Sequence, residues 1–298
     1  MRAVIFGILS SVLIAFLTTV LFVNCSSKVT DSPAAKVSAL ELLSTTPYSF
    51  ISQNYEIKNY KLNSSDGAVY FQVIPGCSDL CPVVVVSMPY NGIPWTNDAG
   101  DLRWSTNFPT GALTDDVDGP NFVVGSGQQI AFYQSSIAVT VGFGAIFLPS
   151  KVTAVLVYNR FYLGRKMDNY VNDFVSVVNE LHRFSYIDTS KMGFLGSSLG
   201  GFVSSHASRK TAVKPLAIVG ITPLINLKSE QTEMSTVSAR ITSNPTSLLA
   251  SQNFYNSYLR RMAGVDVNFY TSQTLANENT TSKILVIHDT WDTIVSID

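Results

Sequence analysis

The sequence feature that most constrains the fold is the pentapeptide Gly-Ser-Ser-Leu-Gly, in which Gly196 and Gly200 flank Ser198. An apolar run at 191–196 leads into it, and a helix-forming segment from 199 to about 209 follows it. Two glycines around a serine at such a junction predict a turn with no room for side chains at either flank. We therefore expect Ser198 at the apex of a sharp strand-to-helix bend, pushed out above the end of the strand.

Apolar runs and helical patterns alternate along the chain around this bend. Residues 152–158 form an apolar run, and residues 167–184 carry apolar side chains at helical spacing. Residues 215–221 and 283–287 predict two further strands. Because strands alternate with helices, we predict a fold of the α/β class, with a mostly parallel central sheet and helices on both faces.

The segments before this region also predict strands. Alternating polar and apolar residues at 55–62 and 68–74 predict an antiparallel hairpin at a sheet edge, joined by a turn-type sequence at 63–67. The β-branched run at 82–88 predicts a strand that is covered on both faces and is therefore central. Further segments are predicted as a loop at 96–127 and as helices at 128–148 and 245–262.

The first residues determine the expected compartment. Met1 and Arg2 precede an uncharged stretch at 3–23 that is typical of an export signal. Cys25, followed by small polar residues, resembles the lipobox of bacterial lipoproteins, in which this cysteine is lipidated. The alternative interpretation is an uncleaved transmembrane anchor. Both interpretations predict an exported, membrane-anchored protein in the periplasm or at the cell surface.

The domain organisation follows from these segments. We predict a signal peptide or membrane anchor at 1–25 and a flexible tether at 26–46, because the latter is rich in Ser, Thr, Ala and Pro. Residues 47–298 are predicted to form one α/β domain that is incomplete at its C-terminus, with the last strand and helix missing.

Charge and cysteine content exclude some partners. The chain has 20 Lys and Arg against 21 Asp and Glu, with no basic cluster, which excludes nucleic acid as an expected partner. Cys77 and Cys81 flank three residues and predict a short disulfide loop in an oxidising compartment. Two thiols without nearby histidines are not a zinc site, so no metal is expected.

A second motif follows the last predicted strand. Residues 288–295 resemble the His-Gly-Thr-x-Asp-x-x-Val segment of prolyl-oligopeptidase-like and dienelactone-hydrolase-like enzymes, with Asp289 in place of the glycine. Together with the serine pentapeptide, this segment makes residues 82–295 similar to the α/β-hydrolase superfamily, closest to its S9-type serine peptidases. The resemblance implies that Asp292 is the catalytic acid, with Asp289 as a second choice.

The same resemblance implies acyl transfer without a cofactor. Ser198 would attack an ester or amide carbonyl of a small-molecule or peptide substrate and form an acyl-enzyme. The helix that begins at Leu199 points its amides at the developing oxyanion. The second oxyanion donor is expected from Asn91 or Gly92, with the Tyr90 hydroxyl as an alternative, although Asn-Gly is also an ordinary turn sequence.

The sequence leaves open the role of Arg160 and the identity of the histidine base. Arg160 follows a strand at the edge where ligands bind in open α/β sheets, and its side chain either binds a substrate carboxylate or forms a structural ion pair. In the family the histidine base follows the acid, but His182, His206 and His288 all precede Asp292.

Two functional hypotheses result. The first is a serine hydrolase, a peptidase or carboxylesterase, whose catalytic histidine lies on a segment missing from this chain. The second is a catalytically inactive surface lipoprotein that uses the hydrolase fold for binding.

Overall fold

The computed structural model describes residues 39–64, 67–88, 95–96, 102–103, 142, 144–160, 165–224, 226–243, 259–278 and 281–288. The predicted anchor with Cys25 and the predicted acids Asp289 and Asp292 lie outside the described residues. So do Tyr90, Asn91 and Gly92 of the predicted oxyanion loop.

The described strands and helices alternate from residue 153 onward, as expected from the sequence. The strands are β1 (Ala39–Phe50), β2 (Gln53–Ser64), β3 (Gly67–Ile74), β4 (Cys81–Ser87), β5 (Trp95–Thr96), β6 (Leu102–Arg103), β7 (Thr153–Val157), β8 (Ile187–Ser197), β9 (Ala217–Ile221) and β10 (Lys283–Ile287). The helices are α1 (Met167–Glu180), α2 (Leu199–Ala207), α3 (Leu227–Ser243) and α4 (Ser272–Glu278), and short 3-10 turns lie at Leu148–Ser150 and Leu181–Arg183.

One sheet of the described residues has the strand order β1-β2-β3-β7-β4-β8-β9-β10, and β5 pairs separately with β6. Strands β1, β2, β3 and β7 pair antiparallel, whereas β7, β4, β8, β9 and β10 are parallel to one another. The register aligns Ser87 with Gly196, and both Ser197 and Ile287 with Ile221. The carboxyl ends of the parallel strands therefore meet at one edge, where open α/β sheets bind ligands.

The core lies on both faces of this sheet. In β4, Val83 and Val85 pack into one hydrophobic cluster, and Val84 and Val86 pack into the other. Because successive side chains of a strand point to opposite faces, a strand with both sets buried must be covered on both sides. The position of β4 between β7 and β8 confirms the prediction that it is central.

Helix α1 covers one face of the sheet, and its apolar side chains have the helical spacing that the sequence predicted. Its buried residues, spaced three or four apart, pack with the cluster that contains Val83 and Val85. They include Met167, Tyr170, Val171, Phe174 and Val178. The hairpin predicted at 55–62 and 68–74 is also confirmed, since β2 pairs antiparallel with β3.

The N-terminal boundary and the edge of the sheet differ from the prediction. Strand β1 begins at Ala39 and pairs with β2, so residues 39–46 belong to the sheet rather than to the tether predicted at 26–46. The domain therefore starts before residue 47, and β1 lies outside the hairpin at the edge. The proline at position 47 suits an edge strand, which tolerates proline because one side of its backbone needs no partner.

Other segments differ in secondary structure or are described only in part. The polar stretch after β9 forms the helix Leu227–Ser243, because Leu227 and Glu230 are buried against the domain while most of its other described side chains face solvent. Of the helices predicted at 128–148 and 245–262, residues 144–145 and 259–262 are described and helical. None of the described helices is long and apolar enough to cross a membrane.

Candidate active site

Ser198 is the single residue between β8 and α2, and its backbone has φ 52° and ψ −125°. A positive φ is uncommon for any residue except glycine, and such strained conformations cluster at functional sites. Ser198 occupies the N-cap position of α2, yet its side chain makes no capping hydrogen bond. The residue is half-buried. Its hydroxyl is therefore not used to start the helix, as an N-cap serine normally is.

The glycines on either side are required by close backbone contacts. A Cβ at Gly196 would overlap the carbonyl group of Gly200, and a Cβ at Gly200 would overlap the carbonyl oxygen of Ser87 at the end of β4. Ser87 also donates a hydrogen bond from its hydroxyl to the Gly200 carbonyl oxygen. The bend is therefore packed directly onto the end of the neighbouring strand, as the two glycines predicted.

The turn after β9 contacts Ser198 from the other side. The Ser198 amide donates to the carbonyl oxygen of Ile221 at 3.0 Å, and the Leu224 amide donates to the Ser198 carbonyl oxygen at 3.1 Å. The amide of Thr222, a residue with φ 42°, donates a hydrogen bond of 2.6 Å to the carbonyl oxygen of Ile287 at the end of β10. Both backbone polar groups of Ser198 are thus bound by one neighbouring turn, and that turn is itself bound to the next strand.

The first turn of α2 begins directly after Ser198. The amides of Gly201 and Phe202 donate to the Ser198 carbonyl oxygen at 2.9 and 3.4 Å. The amides of Leu199 and Gly200 precede them in the first turn, where a helix offers amides without an intrahelical acceptor. This end of the helix is electrostatically positive, so it favours an oxyanion beside Ser198.

The three histidines lie in different places. His182 is on the exposed surface, with Nδ1 2.7 Å from the carbonyl oxygen of Asn179. His206 is fully buried in α2 and packs against the rings of Phe202 and Tyr270. These contacts make His182 a surface residue and His206 a core residue.

His288 directly follows β10 at the same edge of the sheet as Ser198. Strand β9 lies between β8 and β10. No described residue forms a hydrogen bond with its Nε2 atom, which is buried.

The structure places Arg160 in a buried ion pair. Its side chain is fully buried and binds Asp173 of α1 through two hydrogen bonds, of which Nε to Oδ2 is 2.7 Å. A buried bidentate pair of this kind fixes the chain after β7. Of the two alternatives left open by the sequence, the structure shows the ion pair.

The cysteine pair predicted from the sequence forms a disulfide. The bond joins Cys77 and Cys81 at the start of β4. Within the described ranges no cluster of His, Cys, Asp or Glu side chains could hold a metal ion.

Two groups near Ser198 were not identified from the sequence. The Tyr170 hydroxyl on α1 contacts the ends of β4 and β7, and the turn from Ile221 to Leu224 binds Ser198. The Thr-Pro pair after the strand at 215–221 indicates a turn and could have pointed to this segment. The hydrogen bonds themselves depend on how the strands are aligned in the sheet, which the sequence does not give.

The strand order, with a strained serine between β8 and α2, defines the α/β-hydrolase fold, as predicted from the sequence. Residues 158–298, a little less than half of the chain, match the prolyl oligopeptidase family. This match confirms the predicted resemblance to that family over the residues that include Ser198. No curated protein matches the chain.

Several solved structures are similar to this chain at low sequence identity. Acetyl xylan esterase 1 from a Thermoanaerobacterium species is 11% identical, with a TM-score of 0.49 over 87% of this chain and 75% of that chain. The esterase of Pyrobaculum calidifontis is 16% identical, with a TM-score of 0.48 over 80% and 68%. A puromycin hydrolase is 13% identical, with a TM-score of 0.45 over 78% of this chain and 30% of that chain. Identities this low indicate no substrate.

Proposed function

We propose that this protein is a serine hydrolase that cleaves an ester or amide through an acyl-enzyme on Ser198. The observation that carries the proposal is the conformation of Ser198 itself. A serine at φ 52° has a strained backbone, and this one starts a helix without forming a capping hydrogen bond. A strained serine whose hydroxyl is not used as a cap is the arrangement expected of a nucleophile. The match of residues 158–298 to the prolyl oligopeptidase family supports the same chemistry.

The proposed reaction has two halves. Ser198 Oγ attacks the substrate carbonyl carbon while its proton passes to a general base, and the amides at the start of α2 bind the resulting oxyanion. The leaving alcohol or amine departs with a proton, and water then attacks the acyl-enzyme and releases the acid. In enzymes of this fold the base is a histidine held by an acid, and Asp292 remains the proposed acid.

The finer features of the protein are also proposals. We propose a small-molecule ester or a peptide as substrate and no cofactor. The apolar segment at 3–23 and Cys25 support export and anchoring at a membrane, with the catalytic domain outside the cytoplasm.

The test is covalent labelling with a fluorophosphonate, which reacts with activated serines. We expect the wild-type protein to be labelled and Ser198→Ala to be unlabelled. Ser197→Ala is a matched control because Ser197 is the adjacent serine of the same bend and is also half-buried. Mass spectrometry of the labelled peptide would identify the modified residue, and equal labelling of wild type and Ser198→Ala would refute the assignment.

The alternative is a catalytically inactive protein that uses this fold for binding. It is favoured by the positions of His182 on the surface and His206 in the core, neither of which contacts Ser198. A folded wild-type protein that neither labels nor hydrolyses activated esters would support this alternative.

A further inference from the structure

The Tyr170 hydroxyl lies at the point where two central strands end. It accepts a hydrogen bond from the Met88 amide at 2.6 Å. The single proton of the hydroxyl is donated to the carbonyl oxygen of Val157 at 2.8 Å or to that of Met88 at 3.1 Å. One side chain of α1 therefore joins the carboxyl ends of β4 and β7.

The end of β4 is also the surface on which the serine bend rests. Ser87 precedes Met88, and its hydroxyl donates to the carbonyl oxygens of Gly200 and Leu195, the latter at 3.3 Å. The Gly200 backbone approaches the Ser87 and Met88 carbonyl oxygens so closely that a Cβ could not be added. A shift of the β4 end would therefore be transmitted to the start of α2.

We propose that Tyr170 is a positioning residue, whose hydroxyl fixes the end of β4 under the bend that carries Ser198. The inference rests on the proposed function for its catalytic consequence, because Tyr170 acts through Met88 and Ser87 rather than on substrate. It also bears on the oxyanion loop predicted from the sequence, which follows Met88.

The hydroxyl is chemically suited to this task. Tyr170 is 1% exposed, so its ring alone would satisfy the packing of α1 and a phenylalanine would suffice there. Burial raises the pKa of Tyr170 well above its ordinary value, so the group stays neutral and keeps its proton. A neutral hydroxyl can accept from the Met88 amide and donate to a carbonyl at the same time, which a charged group could not do.

Tyr158 offers a matched control. It is 4% exposed and its hydroxyl also makes a buried hydrogen bond, to Gln72 Oε1 at 2.5 Å. That contact leads to Asn59 of β2, away from the bend. Tyr170→Phe and Tyr158→Phe thus each delete one buried hydroxyl, and of these two hydroxyls the one of Tyr170 is hydrogen-bonded to Met88 at the end of β4.

The test combines hydrogen–deuterium exchange with labelling of the full chain. We expect Tyr170→Phe to increase amide exchange about fivefold to tenfold in peptides covering 84–88 and 196–202, as when one net hydrogen bond is lost. We expect Tyr158→Phe to leave these peptides unchanged. In labelling with a fluorophosphonate, Tyr170→Phe should slow the reaction of Ser198 by about tenfold or more, since small displacements of a reacting group have large effects.

Each outcome decides the proposal. Wild-type exchange at 196–202 in Tyr170→Phe, or equal increases in both variants, would overturn it, because a merely structural role would affect both. The exchange measurement does not depend on catalysis. A wild-type protein that fails to label would count against the proposed function, while exchange at the bend would still decide the role of Tyr170.

Discussion

The backbone amide of Ser198 donates a hydrogen bond to the carbonyl oxygen of Ile221 at 3.0 Å. Ile221 ends the neighbouring strand, and Leu224 of the same turn donates back to the Ser198 carbonyl oxygen. A residue in a strained backbone conformation costs about 1–3 kcal/mol and persists only where its surroundings hold it. The turn after β9 is therefore part of what keeps Ser198 at φ 52°.

The first prediction tests this turn. A methyl group at Gly220 would lie 2.8 Å from both Cβ and Cγ of Pro223, so Gly220→Ala must displace Pro223 and with it the turn that binds Ser198. We expect a lower melting temperature and a labelling rate reduced by about tenfold or more, since the reacting group is displaced. Thermal unfolding and the rate of fluorophosphonate labelling would measure the two effects.

The matched variant is Gly220→Ala combined with Pro223→Gly, which removes both clashing atoms. It should recover part of the lost stability and reactivity. Unchanged labelling in Gly220→Ala alone would show that the turn does not hold the nucleophile.

The serine bend could be predicted from the sequence because its requirements are local. Two glycines, a serine and the flanking strand and helix are consecutive in the chain, so the sequence pattern alone predicts the geometry of the bend. The turn at Ile221 and the Tyr170 hydroxyl could not be predicted in this way. Their contacts exist because the register aligns Ser197 with Ile221 and places Met88 beside Val157, and register is a property of the assembled sheet.

The sequence predicted the central strands of the fold but not the edge strand β1. The central strands were recognised because burial on both faces produces continuous apolar runs, as in β4. Strand β1 was missed because an edge strand needs few apolar residues, and its partner β2 cannot be inferred from local composition.

The second prediction concerns the buried ion pair. The side chains of Arg160 and Asp173 are 0% and 5% exposed, so removing the guanidinium takes two hydrogen bonds and a positive charge away from a carboxylate in the core. We expect Arg160→Met to lower the free energy of unfolding by about 3–5 kcal/mol. Arg160→Met with Asp173→Leu should recover most of this loss, because the buried carboxylate is then removed as well. Urea denaturation of both variants provides the measurement, and a double variant as unstable as the single one would assign the loss to packing instead.

The third prediction concerns the disulfide at the start of β4. The bond between Cys77 and Cys81 closes a short loop, and Cys81 is the buried first residue of the central strand. Replacing both residues by alanine should lower the free energy of unfolding by roughly 2 kcal/mol, through the loop entropy regained by the unfolded chain. Melting temperatures with and without dithiothreitol would test this. The reductant should destabilise the wild type but not the double variant, and a wild type that is insensitive to it would contradict the prediction.

The fourth prediction concerns pH and the link between α2 and α4. Arg209, just after α2, binds Glu278 through two hydrogen bonds of 2.7 Å, from Nε to Oε2 and from a terminal nitrogen to Oε1. These hydrogen bonds lower the pKa of Glu278 below its ordinary value of 4.5. A lowered folded-state pKa stabilises the protein above the unfolded value, and this contribution is lost as pH falls through the folded value. The melting temperature of the wild type should therefore exceed that of Glu278→Gln at neutral pH.

The difference between these two proteins should shrink as the pH falls below about 4.5 and vanish once Glu278 is protonated in both the folded and unfolded states. Because the carboxylate is half-exposed, salt should also reduce the difference at neutral pH. Glu180→Gln is the control, since Glu180 pairs with Arg183 within a single turn at the surface, where such pairs contribute little. A difference between wild type and Glu278→Gln that stays constant from neutral pH to about pH 3 would mean that the charge of Glu278 does not hold α4 against α2.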